Sequence, residues 1–333
     1  MTVRVAINGF GRIGRTFFRA AKAQGADIDF VAVNDLGSLE TMAHLLQYDS
    51  VMGRLPDEVG VSGDGITIGD DTLQVLAERN PADLPWGDLG VDVVVESTGF
   101  FTDRDEAAAH LEAGAPLVIV SAPAKGADET FVVGVNEDTF DASKHKVVSN
   151  ASCTTNCFVP MVKVLDDTFG VEQGFMTTIH AYTGDQSLVD GPHRDLRRAR
   201  GAAINIIPTS TGAARATGLV MQSMQGKLDG TALRVPVPTG SITDFTAVLS
   251  KEASVDAINE AFKAAATEGR LSGVLEYTDA PIVSSDIVGS AASCTFDSEL
   301  TMANGTLVKI SGWYDNEWGY SNRLVDLVLH ACS

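Results

Sequence analysis

Short apolar runs alternate with helix-like stretches over the first half of the chain. The runs at residues 3–8, 29–34, 91–96 and 116–120 are rich in valine, isoleucine and alanine, as buried strands are. Between them, the stretch that follows Gly14 and runs to about Gln24, and residues 104–113, carry apolar positions at helical spacing. Strands and helices that alternate in this way predict an α/β domain with a doubly wound parallel sheet.

The second half of the chain has a different pattern. Strands are predicted at residues 175–180, 231–237, 241–249 and 306–313, and an amphipathic helix at residues 255–268. This pattern favours an α+β domain with a largely antiparallel sheet. A chain of 333 residues exceeds the size of one hydrophobic core. We therefore expect domains at residues 1–152 and 153–318, and a terminal helix at 319–333 that returns to the first domain.

A glycine-rich turn follows the first predicted strand. Gly9-Phe-Gly11-Arg-Ile-Gly14 opens the first helix, and Asp35 ends the second strand about twenty residues later. Such glycines let the backbone approach a pyrophosphate at the helix N-terminus, and the acid accepts hydrogen bonds from ribose hydroxyls. This spacing predicts a dinucleotide-binding Rossmann domain. The alternative is a glycine-rich turn without a ligand.

Cys153 is the candidate nucleophile. It lies within Ser149-Asn-Ala-Ser-Cys-Thr-Thr-Asn-Cys157, between an apolar run and a helical pattern that starts near residues 152–153. A cysteine in the first turn of a helix faces unpaired N–H groups and the positive end of the dipole, which favour the thiolate. The alternative is a small buried residue in a Ser/Thr-rich cap. His180, at the end of a predicted strand, is the candidate base.

A long, weakly periodic segment, residues 181–208, follows His180. It contains Arg194, Arg197, Arg198 and Arg200 in an acidic chain. Irregular loops of this length are usually functional, and clustered arginines suit phosphate-bearing ligands. For Arg194 and Arg200 we prefer a solvated face or a subunit contact.

Composition narrows the class of protein. The formal net charge of −20 disfavours nucleic acids and anionic membranes as partners. No segment resembles a secretory leader or is apolar over the length that spans a bilayer. The four cysteines match neither a disulfide framework nor a zinc pattern. We expect a cytoplasmic protein without a metal, and its surplus of acid resembles proteins from salt-rich cytoplasm.

Five segments resemble the phosphorylating, NAD-dependent glyceraldehyde-3-phosphate dehydrogenases. They are Ile7-Asn-Gly-Phe-Gly-Arg-Ile-Gly-Arg15, the segment 149–157, Thr177-Thr-Ile-His-Ala-Tyr-Thr-Gly-Asp-Gln186, Ile206-Ile-Pro-Thr-Ser-Thr-Gly212 and Trp313-Tyr-Asp-Asn-Glu-Trp-Gly-Tyr320. The resemblance covers essentially the whole chain. It implies oxidation of D-glyceraldehyde 3-phosphate to 1,3-bisphosphoglycerate, with NAD and inorganic phosphate, by a homotetramer.

The resemblance also implies residue roles. Cys153 attacks the aldehyde to give a thiohemiacetal and then a thioester, His180 moves the protons, and a thiolate–imidazolium pair keeps Cys153 ionised. The residues expected to hold the substrate's C3 phosphate are Thr183, Asp185 and Arg234. Those expected to hold the attacking phosphate are Ser152, Thr154, Arg198, Thr211 and Gly212. The expected cofactor residues are Gly9, Gly11, Arg12, Ile13, Gly14, Asp35, Arg79, Thr98, Gly99, Ser121, Asn316 and Tyr320, with Asn316 holding the nicotinamide carboxamide.

Two other functions are open to such a chain. The related erythrose-4-phosphate dehydrogenases share the cysteine and histidine segments but tend to depart from the runs 183–185 and 209–212, which are intact here. A thiol redox sensor or RNA-binding protein without catalysis is opposed by the complete set of residues and by the net charge. Departures from the family pattern, such as Gln47, Met52 and Phe101, fall on no proposed catalytic position.

Overall fold

The computed structural model describes residues 2–333, which form two compact units. Unit 1 contains residues 2–131, 137–151 and 321–333, and unit 2 contains residues 132–136 and 152–320. Each unit has a large sheet of its own. Within the described part of the chain, no helix combines the length and the apolarity needed to cross a membrane.

Unit 1 is built mainly of strands joined by helices. Its strands are β1 (Val3–Asn8), β2 (Ile28–Asn34), β3 (Tyr48–Asp49), β4 (Gly53–Arg54), β5 (Val59–Ser62), β6 (Gly65–Ile68), β7 (Asp71–Leu76), β8 (Val93–Glu96), β9 (Val118–Val120), β10 (Glu129–Thr130) and β11 (Val147–Ser149). Its helices before residue 152 are α1 (Arg12–Gln24), α2 (Leu39–Gln47), α3 (Trp86–Leu89), α4 (Arg104–Ala107) and α5 (Ala109–Glu112). The helix predicted over residues 104–113 is therefore two short helices that meet at Ala108.

The sheet of unit 1 has the strand order β10-β11-β9-β8-β1-β2-β7-β6-β5. Every pair from β10 to β7 is parallel, which confirms the predicted doubly wound sheet. The strands β5, β6 and β7 add an antiparallel extension that we did not predict. Two-residue turns at Gly63-Asp64 and Gly69-Asp70 join them, with φ of 61° and 59° at the glycines. Two-residue turns that contain glycine are typical of β-hairpins.

Helix α1 holds the glycine-rich turn against the sheet. It begins directly after Gly11 and ends at Gly25, whose left-handed backbone returns its N–H to Ala21 and Lys22. Phe17 on its buried face meets Phe30 of β2 edge to face, with ring centroids 5.6 Å apart. The helix N-terminus is therefore fixed at the carboxyl ends of β1 and β2.

Unit 2 is an α+β unit. Its strands are β12 (Val171–Ala181), β13 (Ile207–Ser210), β14 (Leu228–Val235), β15 (Ser241–Leu249), β16 (Leu275–Thr278), β17 (Cys294–Asp297), β18 (Met302–Asn304) and β19 (Leu307–Tyr314). Its helices are α6 (Cys153–Phe169), α7 (Ala213–Val220) and α8 (Val255–Thr267). The last helix, α9 (Trp318–Ala331), belongs to unit 1 from residue 321 onwards.

The sheet of unit 2 has the order β13-β14-β12-β15-β19-β17-β16, and β18 pairs with β19. Most pairs are antiparallel, as predicted, while β12–β14 and β16–β17 are parallel. Helix α6 packs its apolar face on this sheet, where Phe158 meets Phe245 at a centroid distance of 4.8 Å. Its first residue, Cys153, is thereby fixed relative to the strands.

The terminal helix returns to unit 1, as the sequence predicts. Leu324, Val325, Leu327 and Val328 on α9 are fully buried. Within the same unit, Gln24 at the end of α1 donates a 2.6 Å hydrogen bond from Nε2 to Asn322 Oδ1. Burial of four large apolar side chains provides the main stabilisation, about 1.5–3 kcal/mol for each.

Candidate active site

A cavity of about 460 Å³ opens at the carboxyl edge of the parallel sheet in unit 1. Its lining residues include five that the sequence predicts for the cofactor: Gly9, Gly11, Asp35, Arg79 and Thr98. Ligands bind at this edge in open α/β sheets. The cavity thus lies where a dinucleotide is expected.

The glycines of the turn are required by close contacts. A Cβ on Gly9, where φ is 92°, would lie 2.6 Å from the Thr98 backbone nitrogen. A Cβ on Gly14 would lie 2.3 Å from the Gly9 carbonyl oxygen. The turn after β1 therefore touches the turn after β8, and the bare backbone between them fits a pyrophosphate at the N-terminus of α1.

Asp35 is held by the backbone on both sides. Its Oδ2 accepts from Phe10 N–H and its Oδ1 accepts from Gly37 N–H, each at 2.8 Å. A carboxylate offers about four acceptor positions, so two positions remain for a ribose diol. The carboxylate cannot swing away from the cavity without losing both backbone bonds.

Sequence reasoning missed three polar residues of this cavity. Asn8, Asn34 and Glu78 line it beside the predicted ones. Asn8 and Asn34 end β1 and β2 one residue before Gly9 and Asp35, so their position at the strand ends was the available signal. Among the other predicted cofactor residues, Arg12 and Ile13 start α1, and the Ser121 N–H donates to the Glu96 carbonyl at the end of β8.

In unit 2, Cys153 is the first residue of α6, as predicted. Ser152 is the N-cap, and its Oγ accepts from Thr155 N–H at 3.1 Å. Cys153 is half-buried, whereas Cys157 and Cys294 are fully buried, and all four cysteines are free. The thiol of Cys153 therefore combines a helix N-terminus with access from outside the unit.

His180 lies beside this thiol with a defined tautomer. Its Nε2 is 3.4 Å from Cys153 Sγ, and its Nδ1 is 2.7 Å from the Ala181 carbonyl oxygen. Nδ1 also lies 3.1 Å from Arg234 Nη1, which can only donate, but that nitrogen has the Ala181 carbonyl and Thr183 Oγ1 as acceptors. Because the contact between Nδ1 and the carbonyl oxygen is the shorter one, we assign the ring proton to Nδ1, which leaves the lone pair of Nε2 toward the thiol. His180 is thus arranged as a base toward Cys153.

The predicted thiolate–imidazolium pair is not what the surroundings favour. Burial, together with the charge of Arg234, lowers the pKa of His180 to about 3. Burial also raises the pKa of the Cys153 thiol, although Arg234 and hydrogen bonds from Thr154 oppose this rise. The prediction took account of the helix terminus and of the opposite charge, but not of desolvation. The surroundings favour a neutral thiol beside a neutral imidazole.

A chain of polar contacts joins His180 to two arginines. Arg234 lies opposite His180 in the parallel pair β12–β14, and its Nη1 donates to the Ala181 carbonyl at 3.1 Å and to Thr183 Oγ1 at 3.0 Å. Thr183 in turn donates to Asp185, and Arg198 forms an ion pair with Asp185. We expected Arg198 and Arg234 to hold separate phosphates. In the structure Asp185 lies between them, because it pairs with Arg198 and accepts from Thr183, to which Arg234 donates.

Asp185 is ionised in this arrangement. Burial alone favours its neutral form, but the Thr183 hydroxyl and the charges of Arg234 and Arg198 lower the pKa of the carboxyl. Asp195 also lies 3.8 Å from Arg198 Nε, so two carboxylates face the two guanidinium groups. What suits a phosphate here is the fork of N–H donors on each arginine.

The residues predicted for the attacking phosphate differ in how accessible their polar groups are to a ligand. The Thr154 hydroxyl is buried and contacts Tyr314 Oη at 2.9 Å, and both this hydroxyl and the Thr154 backbone N–H lie within hydrogen-bonding reach of Cys153. Thr211 Oγ1 accepts from Ala213 N–H at 3.2 Å, at the start of α7. Gly212 has open space around its α-carbon.

Asn316 and Tyr320 are buried in unit 2. The side-chain oxygen of Asn316 accepts from the Ser241 hydroxyl at 2.9 Å and from the Thr239 hydroxyl at 3.3 Å. In this arrangement the amide oxygen faces the Ser241 hydroxyl, while the Thr239 hydroxyl donates at a shorter distance to Asp315 Oδ1, at 3.0 Å. The amide nitrogen is then the end that would donate to a carboxamide oxygen.

Both parts of the sequence match known proteins. Residues 3–104 match the family model described as glyceraldehyde 3-phosphate dehydrogenase, NAD binding domain, and residues 152–316 match that of the C-terminal domain. A glyceraldehyde-3-phosphate dehydrogenase of Streptomyces coelicolor is 62% identical over 330 residues, 99% of this chain and 98% of the relative. One of Mycobacterium tuberculosis is 64% identical over 334 aligned positions, with 98% of each chain covered.

Proposed function

This chain belongs to the glyceraldehyde-3-phosphate dehydrogenase family, and we propose that it converts D-glyceraldehyde 3-phosphate, NAD and inorganic phosphate into 1,3-bisphosphoglycerate and NADH. The observation that carries the proposal is Cys153 Sγ at the N-terminus of α6, 3.4 Å from an unprotonated His180 Nε2. A thiol with a base at that distance can form a covalent adduct with an aldehyde.

The residues of the chain account for the bond changes in order. As Cys153 Sγ attacks the aldehyde carbon, the thiol proton passes to His180 Nε2 and on to the new hydroxyl oxygen of the thiohemiacetal. His180 then removes that hydroxyl proton as the carbon loses hydride, which leaves a thioester on Cys153. Phosphate attacks the thioester carbon, the C–S bond breaks, and the leaving sulfur regains its proton from His180. NAD, when bound, accepts the hydride.

The guanidinium donors and the hydroxyl beside Asp185 support phosphate binding by Arg234, Arg198 and Thr183. Arginine presents a planar fork of donors that matches phosphate oxygens. We assign Arg234 and Thr183 to the C3 phosphate of the aldehyde. The attacking phosphate would be held by Arg198, Ser152, Thr211, Gly212 and the backbone N–H of Thr154.

For NAD we assign the cavity of unit 1, with Asn316 donating to the nicotinamide carboxamide. The close approach of Gly9 to Thr98 provides the cradle for the pyrophosphate, and Asp35 provides acceptors for the ribose. The complete cofactor set would also include Arg12, Ile13, Gly14, Arg79, Gly99, Ser121 and Tyr320. The four free cysteines suit the reducing cytoplasm in which we place the enzyme.

The reaction is tested by initial rates of NADH formation with D-glyceraldehyde 3-phosphate. We expect sustained turnover only when inorganic phosphate or arsenate is present, because the thioester would otherwise block Cys153. Erythrose 4-phosphate is the comparison substrate. A higher kcat/KM for erythrose 4-phosphate, or turnover that ignores phosphate, would contradict the proposal.

A strong preference for NAD over NADP is expected from Asp35. The 2′-phosphate of NADP would approach a carboxylate that is fixed by Phe10 and Gly37 N–H groups. Repulsion of about 1–4 kcal/mol at 4 Å corresponds to about 5- to 1,000-fold in kcat/KM. Kinetics with both cofactors should show this ratio, and Asp35→Asn should reduce it.

The control for that substitution is Asp88→Asn on the exposed side of α3, which removes an equal charge outside the cavity. It should leave the cofactor ratio unchanged. Equal kcat/KM for NAD and NADP in the unaltered enzyme would rule out the role of Asp35.

We further propose a homotetramer that salt stabilises. In the loop after β12, Leu188, Val189, Leu196, Ile204 and Ile206 are each at least 66% exposed. Exposed apolar side chains in such numbers mark association surfaces. Four chains at −20 each carry −80 together, and their repulsion is screened over about 10 Å in 0.1 M salt but about 3 Å in 1 M salt.

We therefore expect activity and tetramer content to rise together with KCl toward the molar range. Size-exclusion chromatography and rate measurements at matched KCl concentrations check this. Dissociation below a few tenths molar should accompany loss of activity. A fully active tetramer in dilute buffer would show that the acidity does not govern assembly.

A further inference from the structure

We propose that Glu96 is the positioning residue of the NAD cavity, and that His110 and Trp86 behind it fix its orientation. The inference rests on the proposed function only in taking NAD as the ligand of unit 1. None of the three side chains is more than 1% exposed. A buried polar chain of this kind needs an explanation, since carboxylates are almost never fully buried unless they are satisfied.

The chain begins at the residues that line the cavity. Asn34, Asn8 and Glu96 lie side by side in register at the carboxyl ends of β2, β1 and β8. Asn34 Nδ2 donates to Asn8 Oδ1 at 2.7 Å, and Asn8 Nδ2 donates to Glu96 Oε2 at 2.6 Å. Asn34 also exchanges two hydrogen bonds with the backbone of Glu78. Three neighbouring strands are thus joined across the cavity floor through one carboxylate.

The other oxygen of Glu96 holds the turn that follows its own strand. Glu96 Oε1 accepts from Thr98 N–H at 2.8 Å and from the Thr98 hydroxyl. Thr98 is the residue whose backbone touches Gly9. Glu96 therefore sets the spacing between the turns after β1 and β8, where the cofactor is expected to lie.

His110 and Trp86 determine which groups face Glu96. The indole Nε1–H of Trp86 can only donate, and it lies 2.9 Å from His110 Nδ1. Nδ1 is therefore the acceptor and the ring proton is on Nε2, which lies 3.0 Å from Glu96 Oε2. The ring is neutral, because a second proton on Nδ1 would face the indole proton.

Among the described residues, Glu96 then meets four donors and no acceptor. They are the Asn8 amide, the His110 Nε2–H, the Thr98 N–H and the Thr98 hydroxyl. A carboxylate satisfies all four with its four acceptor positions, whereas an acid or an amide would turn a proton of its own toward one of them. The negative charge of Glu96 is stabilised by neutral donors alone. Loss of this charge should weaken the hydrogen bonds that position Asn8 and Thr98.

The test compares Glu96→Gln with Glu112→Gln, an exposed position on α5. In either orientation, the amide that Glu96→Gln introduces would direct its NH₂ group at two donors. Hydrogen bonds to charged groups contribute about 1.5–3 kcal/mol, so we expect Kd and KM for NAD to rise about 10- to 100-fold. In Glu96→Gln, the KM for glyceraldehyde 3-phosphate and kcat at saturating NAD should change less than about threefold. Glu112→Gln should leave all of these constants, and the Kd for NAD, unchanged.

Two substitutions of His110 test whether its hydrogen bonds to Glu96 and Trp86 matter for NAD binding. Glutamine offers both a donor for Glu96 and an acceptor for Trp86, whereas methionine of similar size offers no donor and only a weak sulfur acceptor. His110→Gln should keep NAD affinity within about threefold of the unaltered enzyme, and His110→Met should approach the loss seen for Glu96→Gln. A general packing role would not separate these two variants.

NAD affinity is measured by titration calorimetry without substrate, beside the melting temperature of each variant. Failure of the unaltered enzyme to bind NAD would refute the proposed function. Normal NAD binding by Glu96→Gln, or equal increases in the KM values of NAD and aldehyde, would refute the positioning role. If Glu96→Gln does not fold, the contrast between His110→Gln and His110→Met decides the question alone.

Discussion

Replacing Cys153 by serine is expected to lower kcat by about 10⁴-fold or more. A serine hydroxyl is far harder to deprotonate than a thiol, and an ester resists attack by phosphate more than a thioester does. Loss of the nucleophile in a covalent enzyme generally removes catalysis of this size. The binding of NAD should be unchanged, because the proposed cofactor cavity belongs to unit 1.

Alkylation provides the direct measurement of the same prediction. A limiting dose of iodoacetamide at neutral pH should modify Cys153 first, and activity should fall in step with that single label. Cys157 and Cys294 are fully buried. Burial raises the pKa of both Cys332, to about 11, and Cys153, but Cys153 has His180 Nε2 at 3.4 Å to take its proton. Cys332→Ser is the control and should retain full activity. Equal labelling of all four cysteines, or appreciable turnover by Cys153→Ser, would contradict the assignment.

Local signals explain why the helix start at Cys153 and the glycine turn could be predicted from the sequence. Ser152 and Cys153 start a helix because a serine precedes a strongly apolar helical pattern, and α6 begins at the predicted residue. The glycine turn is confirmed for a similar reason, since Gly9 and Gly14 are needed by contacts within a single strand–turn–helix unit. In both cases the information lies within about twenty residues.

Strand register explains what the sequence did not predict. Glu96 contacts Asn8, and Arg234 lies opposite His180, only because separate strands align at particular residues. A shift of register by one residue would turn each of these side chains to the other face. Single-sequence patterns do not determine register between distant strands, so these networks are visible only in the structure.

The protonation states of Cys153 and His180 could not be predicted from the sequence, for a different reason. The helix terminus and the opposite charges are properties of residue types and spacing, and they favour an ion pair. Desolvation depends on everything packed around the pair, and His180 is only 4% exposed. That burial opposes both charges. The structure brings the predicted Cys153 and His180 together, whereas their protonation state at rest depends on packing that the sequence pattern does not contain.

Replacing His180 by glutamine is expected to lower kcat by about 10²- to 10⁴-fold, the usual contribution of a general acid or base. Glutamine places an amide near Cys153 but cannot accept a proton. At pH 7 iodoacetamide should alkylate Cys153 more slowly in His180→Gln than in the unaltered enzyme. Because burial raises the pKa of Cys153, the thiol of the variant should ionise only above the usual range near pH 8.5.

The difference in alkylation rate should therefore shrink as pH rises, since hydroxide then does what His180 does at neutral pH. Rates measured from pH 6 to about pH 10 give the two curves. His44→Gln, an exposed change on α2, is the matched control and should follow the unaltered enzyme. A constant ratio of rates across the whole range would mean that His180 affects access to the thiol. Convergence at high pH would identify it as the base that the 3.4 Å contact with Cys153 Sγ predicts.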